Sequence, residues 1–255
     1  MTAPQRRVEG LHAPLDTPVH RLDAAVELAC VVSTLFAVVV TPPRAVRAFG
    51  AYAVLVGAAV GAARLPVGVL ARRMVVEVPF VLFALSLPWV GDAPHREVLF
   101  GLQVSVPGSW AAWGIVAKST IGTALAVVLA WSTPVAELLV GLERLHVPRP
   151  LVAVAGFMVR YLDVVAGQLA RLQVARVSRG DDPRWLWQGR ALAATAGTLF
   201  VRSYERGERV HQAMLARGFD GTFPDTTARR RPAGWAPALA WPVLAWAVAA
   251  VALLR

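Results

Sequence analysis

Five apolar stretches dominate the chain: Ala24–Thr41, Val46–Ala63, Val75–Val90, Trp113–Trp131 and Trp235–Leu254, each bounded by Pro, Gly, Arg or Trp. Each is close to the ~20 residues a helix needs to cross the roughly 30 Å hydrocarbon layer of a bilayer. Helices suit that layer because they satisfy their own backbone hydrogen bonds without water. With 56% of its 255 residues hydrophobic and only 16% charged, the chain has too little polar surface to wrap five such runs as a soluble domain. The expected fold class is all-α, a polytopic membrane protein with about five transmembrane helices.

The net charge of +10 suits cytosolic loops that follow the positive-inside rule and does not call for a nucleic-acid partner. Cys30, the single cysteine, lies within the first apolar run, which excludes an intrachain disulfide and a cysteine-based metal site. His12, His20, His95, His146 and His211 are scattered, without the spacing of a metal cluster.

Residues 1–23 form a polar leader, and the first apolar run starts too far from its basic residues for a cleavable signal peptide. The expected organisation is leader plus transmembrane helices 1–4 over residues 1–132, a cytosolic region over 133–231 and a last transmembrane helix over 232–255. Gly91–Ala112, between the third and fourth runs, is too polar to span and belongs on the far side, with Trp110 at its end as an interfacial belt residue. Ser132–Thr133–Pro134 closes the fourth run and opens a helix, with Thr133 as N-cap and Pro134 in the first helical position. Fifteen arginines stand against nine acids in 133–231, so this region is expected inside, as is the N-terminus, with the C-terminus outside. Within it Pro134–Leu145, Pro150–Arg179 and Gln188–Arg217 read as helices. The two long ones mix apolar and charged residues, which fits helices lying along a membrane surface or against a partner better than helices crossing lipid.

Those two helices end alike, in Ser178–Arg179–Gly180 and Ala216–Arg217–Gly218, each with Asp two residues after the Gly. Glycine accepts the left-handed conformation that stops a helix, and arginine in the last turn complements the negative end of its dipole. On the first, Leu162, Val165, Leu169 and Leu172 form a seam that leads to Arg176 and Arg179; on the second, the walk back from Arg217 passes Met214, Val210, Gly207 and Ser203. The small side chains of Ser203 and Gly207 would let another helix cross closely. Two crossed helices with a guanidinium at each tip could pair bidentately with carboxylates in a partner's groove.

Further strings carry a family resemblance: His20–Arg21–Leu22–Asp23, Lys118–Ser119, Ser132–Thr133–Pro134 with Glu137–Leu138–Leu139, Val147–Pro148, Phe157–Met158–Val159–Arg160–Tyr161–Leu162, Arg202–Ser203–Tyr204–Glu205–Arg206 and Ala213–Met214–Leu215–Ala216–Arg217–Gly218–Phe219–Asp220–Gly221. The chain resembles the transmembrane T component of energy-coupling-factor importers, most closely the CbiQ type associated with cobalt or nickel uptake. Two departures are Ser178, where the first coupling motif has alanine, and Glu27, where the leader pattern usually has lysine. The resemblance implies a non-catalytic subunit in a bacterial cell membrane, with ATP and magnesium bound by two partner ATPases and not by this chain. It implies that Ser178, Arg179, Gly180, Ala216, Arg217 and Gly218, with Arg176 and Met214 beside them, form the ATPase-coupling tips, and that Ser203 and Gly207 mark the helix crossing. It also implies a small membrane-embedded substrate-binding S component, CbiM-like, leaves room for an accessory membrane subunit, and sets the assembly in membrane lipid. No G-x-x-x-x-G-K-[ST] loop is present, in keeping with ATP chemistry supplied from elsewhere.

Other readings stay open beside it: the membrane subunit of another ABC-type transporter, or a membrane-embedded enzyme, which would need convergent carboxylates, a histidine cluster or a nucleophile motif. Lys118, Ser119, Thr120 and Glu77 lie in apolar runs, where a charge either pairs or snorkels to the interface. Gly57 and Gly61 form a G-x-x-x-G that could pack closely, and Glu205 with Arg209 has the spacing of a solvated helix-face ion pair.

Overall fold

The computed structural model describes residues 17, 19, 22–90, 95–98, 102–180, 189–219 and 235–254. Its helices are α1 (Ala24–Val40), α2 (Val46–Ala62), α3 (Val67–Met74), α4 (Val78–Val90), α5 (Val106–Ser132), α6 (Val135–Arg144), α7 (Arg149–Val177), α8 (Gly189–Leu215) and α9 (Trp235–Leu253). Among the described residues the fold is all-α but for one ribbon, β1 (His95–Val98) paired antiparallel with β2 (Leu102–Ser105), His95 opposite Ser105. It divides into two compact units, which among the described residues are α1–α6 with α9, and α7 with α8. The runs at 24–41, 46–63 and 235–254 thus appear as helices within a residue or two of their sequence limits.

In the first unit α1 is the organising helix. Asp23 caps it by accepting from the Ala25 amide at 2.9 Å and also pairs with Arg144 at the end of α6. One turn on, the Glu27 carboxylate, 5% exposed, accepts from the hydroxyls of Ser132 and Thr133. Gly141 completes the contact, since a Cβ there would stand 2.9 Å from the Ala25 nitrogen. Thr133 is therefore not the side-chain N-cap of α6. Its hydroxyl serves Glu27, and α6 opens after Pro134 with no side-chain cap bond. A buried carboxylate left without donors costs more than an uncapped helix end, so the hydroxyl goes there.

At the other end of α1, the fully buried Tyr52 of α2 joins three helices: its hydroxyl lies 3.0 Å from that of Thr41 and donates to the Ala245 carbonyl of α9 at 3.2 Å. Around it Ala37, Val38, Phe49, Val56, Ile121, Leu125, Ala245 and Ala249 form the main apolar cluster. Lipid gives helices no hydrophobic reason to associate, so close contact relies on small residues and a few hydrogen bonds. Gly108 and Gly114 of α5 supply the small residues: a Cβ at Gly108 would meet the Leu87 carbonyl oxygen at 2.4 Å, and one at Gly114 the Pro43 ring at 2.9 Å.

Three expectations need correcting. The fourth run begins at Val106, seven residues before Trp113, because Ser105 accepts from the Gly108 amide at 3.1 Å and Pro107 sits in the first turn. Trp110 is therefore helical, and the polar stretch before it carries the ribbon. The third run is preceded by α3, and a 3-10 turn at Val75–Glu77 joins the two helices. Gly57 and Gly61 are exposed with nothing within 4 Å of a built Cβ, so the G-x-x-x-G packs on no other helix of the described residues. In length and composition alone α7 also matches a membrane span, by the same measure as α5, because Arg160 and Asp163 are its only charges between residues 150 and 167.

Glu77 and Lys118 are both engaged. The Glu77 carboxylate, buried in the 3-10 turn, accepts from Ser119 at 2.5 Å and Thr120 at 2.6 Å. The Lys118 ammonium donates to the Val39 carbonyl at 2.7 Å, at the electronegative end of α1.

Gly108→Ala is expected to destabilise the protein in mild detergent by about 1–3 kcal/mol through backbone overlap. Gly57→Ala should leave the melting temperature unchanged or raised, and equal melting of the two variants would contradict the α4–α5 packing.

Candidate functional site

The second unit is a pair of long helices that touch along part of their length. The N-terminal half of α7 and the C-terminal half of α8 line a largely apolar groove of about 360 Å³, containing Phe157, Tyr161 and Val165 from α7 and Ser203, Val210 and Met214 from α8. The C-terminal half of α7 and the N-terminal half of α8 line a second cavity of about 620 Å³, containing Gln168, Leu172, Arg176 and Arg179 opposite Thr195, Thr198 and Arg202. The helices are therefore antiparallel. Because Val165 and Ser203 face one cavity while Gln168 and Arg202 face the other, the crossing lies between these residues.

The seam anticipated on α8 is the groove wall: Ser203, Gly207, Val210 and Met214 all line it. Of the two residues expected at the crossing, Ser203 sits there, half-buried, with its hydroxyl donating to Leu199 within its own helix at 2.8 Å. Gly207 lies one turn further along the open groove, where a Cβ would meet nothing within 4 Å. On α7 the seam residues Val165, Leu169 and Leu172 are half-buried while Leu162 is half exposed.

The two tips share one geometry. At the first, the Arg179 amide donates to the Arg176 carbonyl at 2.9 Å and the Gly180 amide to the Val177 carbonyl at 3.0 Å; at the second, Arg217 donates to Met214 and Gly218 to Leu215, both at 3.0 Å. Gly180 and Gly218 take φ of +81° and +79°, the left-handed conformation that only glycine adopts without strain. At the second tip the Phe219 amide also donates to Met214 at 3.0 Å, completing a six-to-one helix stop in which Phe219 and Met214 share the groove wall. Arg179 and Arg217 are exposed, Arg176 is half-buried, and Ser178 and Ala216 are exposed beside the arginines. The crossing lies eleven residues before Arg179, counted from Gln168, and fourteen before Arg217, counted from Ser203. At 1.5 Å per residue each guanidinium sits ~16–21 Å from the crossing, on opposite ends of the pair.

Among the described residues, the side chains next to the tips are arginines, aliphatics, small residues and Phe219, and no three His, Cys, Asp or Glu side chains gather as they would around a metal. The Glu205–Arg209 pair is exposed at both ends, with 3.8 Å between its charges. Sequence reasoning missed the second cavity. Its arginines were visible, but which of them face α8 depends on the antiparallel register.

A family model described as cobalt transport protein, CbiQ, matches residues 16–228. Among curated relatives, the chain is 29% identical to the cobalt transport protein CbiQ of Rhodobacter capsulatus over 48% of its own length and 50% of that protein's. It is 29% identical to the nickel permease LarQ of Lactiplantibacillus plantarum over 59% of its length and 49% of that protein's. It is 24% identical to a Methanocorpusculum labreanum protein named as a fused cobalt transport protein, CbiMQ, over 48% of its length and 20% of that protein's. The chain thus spans about half or less of the length of these relatives.

Gly218→Ala forces a Cβ into the left-handed region and is expected to cost about 1–2 kcal/mol, read as a lowered melting temperature. Gly218→Asn, whose side chain tolerates that region, should recover most of the loss, and identical melting of the two variants would argue against the helix stop.

Proposed function

Because the chain belongs to the CbiQ family of cobalt transport proteins, we propose that it is the transmembrane coupling subunit of an energy-coupling-factor importer for cobalt or nickel. In this reading α1, α2, α4, α5 and α9 hold the subunit in the cell membrane, and the crossed pair α7–α8 lies along its cytosolic face. Two ATPase subunits bind and hydrolyse ATP with magnesium, and each receives one tip, Ser178–Arg179–Gly180 or Ala216–Arg217–Gly218. A small membrane-embedded S component, CbiM-like, binds the metal ion, and the relative whose name joins CbiM to CbiQ in one chain supports that pairing.

The observation that carries the reading is the repetition of one Arg–Gly helix stop at both ends of the crossed pair. A guanidinium held on a rigid helix end pairs with a carboxylate at little entropic cost, and the neighbouring apolar side chains add contact area. When ATP draws the ATPases together, their grooves carry the two tips with them. The helices cross near Gln168 and Ser203, so movement of the tips changes the crossing angle and turns the partner held by the membrane helices. The carbonyls of Arg176 and Met214 accept the backbone bonds that close the first and second tips.

Replacing Arg179 and Arg217 together by Glu is expected to abolish ATPase co-purification and metal uptake while the protein still reaches the membrane, since a desolvated charge pair that loses one partner costs about 2–5 kcal/mol. Recovery of the ATPase and of uptake in the double variant would overturn the assignment. Purification of the tagged protein from its own membranes in mild detergent should bring down an ATPase and a very hydrophobic small membrane protein.

A further inference from the structure

The cavity of about 620 Å³ on the far side of the α7–α8 crossing is lined by Arg171, Arg176, Arg179 and Arg202, with no acidic residue among the described residues of its walls. Arg171, Arg179 and Arg202 form no ion pair with any described acid. The buried Oε1 of Gln168, at the inner end, has no hydrogen-bond partner among the described residues. Like charges gathered on one concave surface repel unless an anion sits among them, and guanidinium forks match the paired oxygens of phosphate.

The order of side chains along α7 indicates where that anion comes from. Between residues 150 and 167 the helix carries only Arg160 and Asp163 among apolar side chains; from Gln168 to Arg179 it carries three arginines and no acid. An apolar helix that turns basic over its last turns puts its arginines at head-group depth, where anionic lipids concentrate. We infer that the cavity is a binding site for the head group of an anionic phospholipid, its phosphodiester held by Arg171 and Arg202 and a head-group hydroxyl donating to Gln168. The site adjoins the first coupling tip, since Arg176 and Arg179 line the same cavity, but Arg171 and Arg202, which hold the phosphodiester, lie outside both tip motifs.

The test is native mass spectrometry of the full chain in mild detergent, titrated with phosphatidylglycerol, phosphatidylcholine or inorganic pyrophosphate. Phosphatidylglycerol is expected to bind at least tenfold more tightly than phosphatidylcholine, and R171Q with R202Q should remove that preference. Both side chains are exposed, so the double variant should melt as the parent does in phosphatidylcholine, which separates loss of the site from loss of the fold. Equal binding of the two lipids, or a preference that survives the double substitution, would overturn the site. Pyrophosphate bound as tightly as phosphatidylglycerol would overturn the lipid source. Unchanged lipid binding with loss of ATPase co-purification would assign the arginines to a protein partner and overturn the inference as well.

Discussion

The apolar unit depends on a carboxylate that cannot be left alone. Glu27 sits where water does not reach, and it is tolerable only because Ser132 and Thr133 turn their hydroxyls to it. Meeting that need fixes the corner between α5 and α6 against the first turn of α1, and the Asp23–Arg144 pair and the close approach at Gly141 hold the same corner. Glu77 with Ser119 and Thr120, and Tyr52 with Thr41 and Ala245, act in the same way elsewhere. In lipid one aliphatic face packs about as well as another, so a few polar contacts select one helix arrangement among many of similar apolar area.

Much of this was legible before the structure, and what was not had a physical cause. The limits of α2 and α9 follow from apolar runs bounded by Arg, Pro and Trp, which lipid enforces. The glycine-ended tips were also readable, since left-handed backbone at Gly180 and Gly218 is a local property. The start of α5 was missed because apolarity was weighed over Ser105 and Pro107, which together announce a helix. Thr133 was misassigned for the opposite reason: its local chemistry suits a cap, and a carboxylate 106 residues away outbids the amide. Gly57 and Gly61 show that a close-packing motif specifies no packing when no helix of the described chain lies opposite.

The pair α7–α8 is built differently. It buries almost nothing: Leu151, Met158, Val174, Phe200 and Tyr204 are each more than 60% exposed, and among its described side chains Thr195 alone counts as buried. Helices with so little mutual burial take their stability from what surrounds them. Its neighbours divide by chemistry, with apolar side chains on one side of the crossing and arginines on the other.

Antiparallel helices that cross near their middles possess a local twofold axis at the crossing, and that axis exchanges like ends. The Arg179 and Arg217 hooks are therefore related by an approximate rotation although the sequence contains no duplication and the two stops differ at Ser178 and Ala216. A single asymmetric polypeptide thus offers the same key twice in opposite senses. Partners that are themselves paired by a twofold axis can receive it without breaking their symmetry.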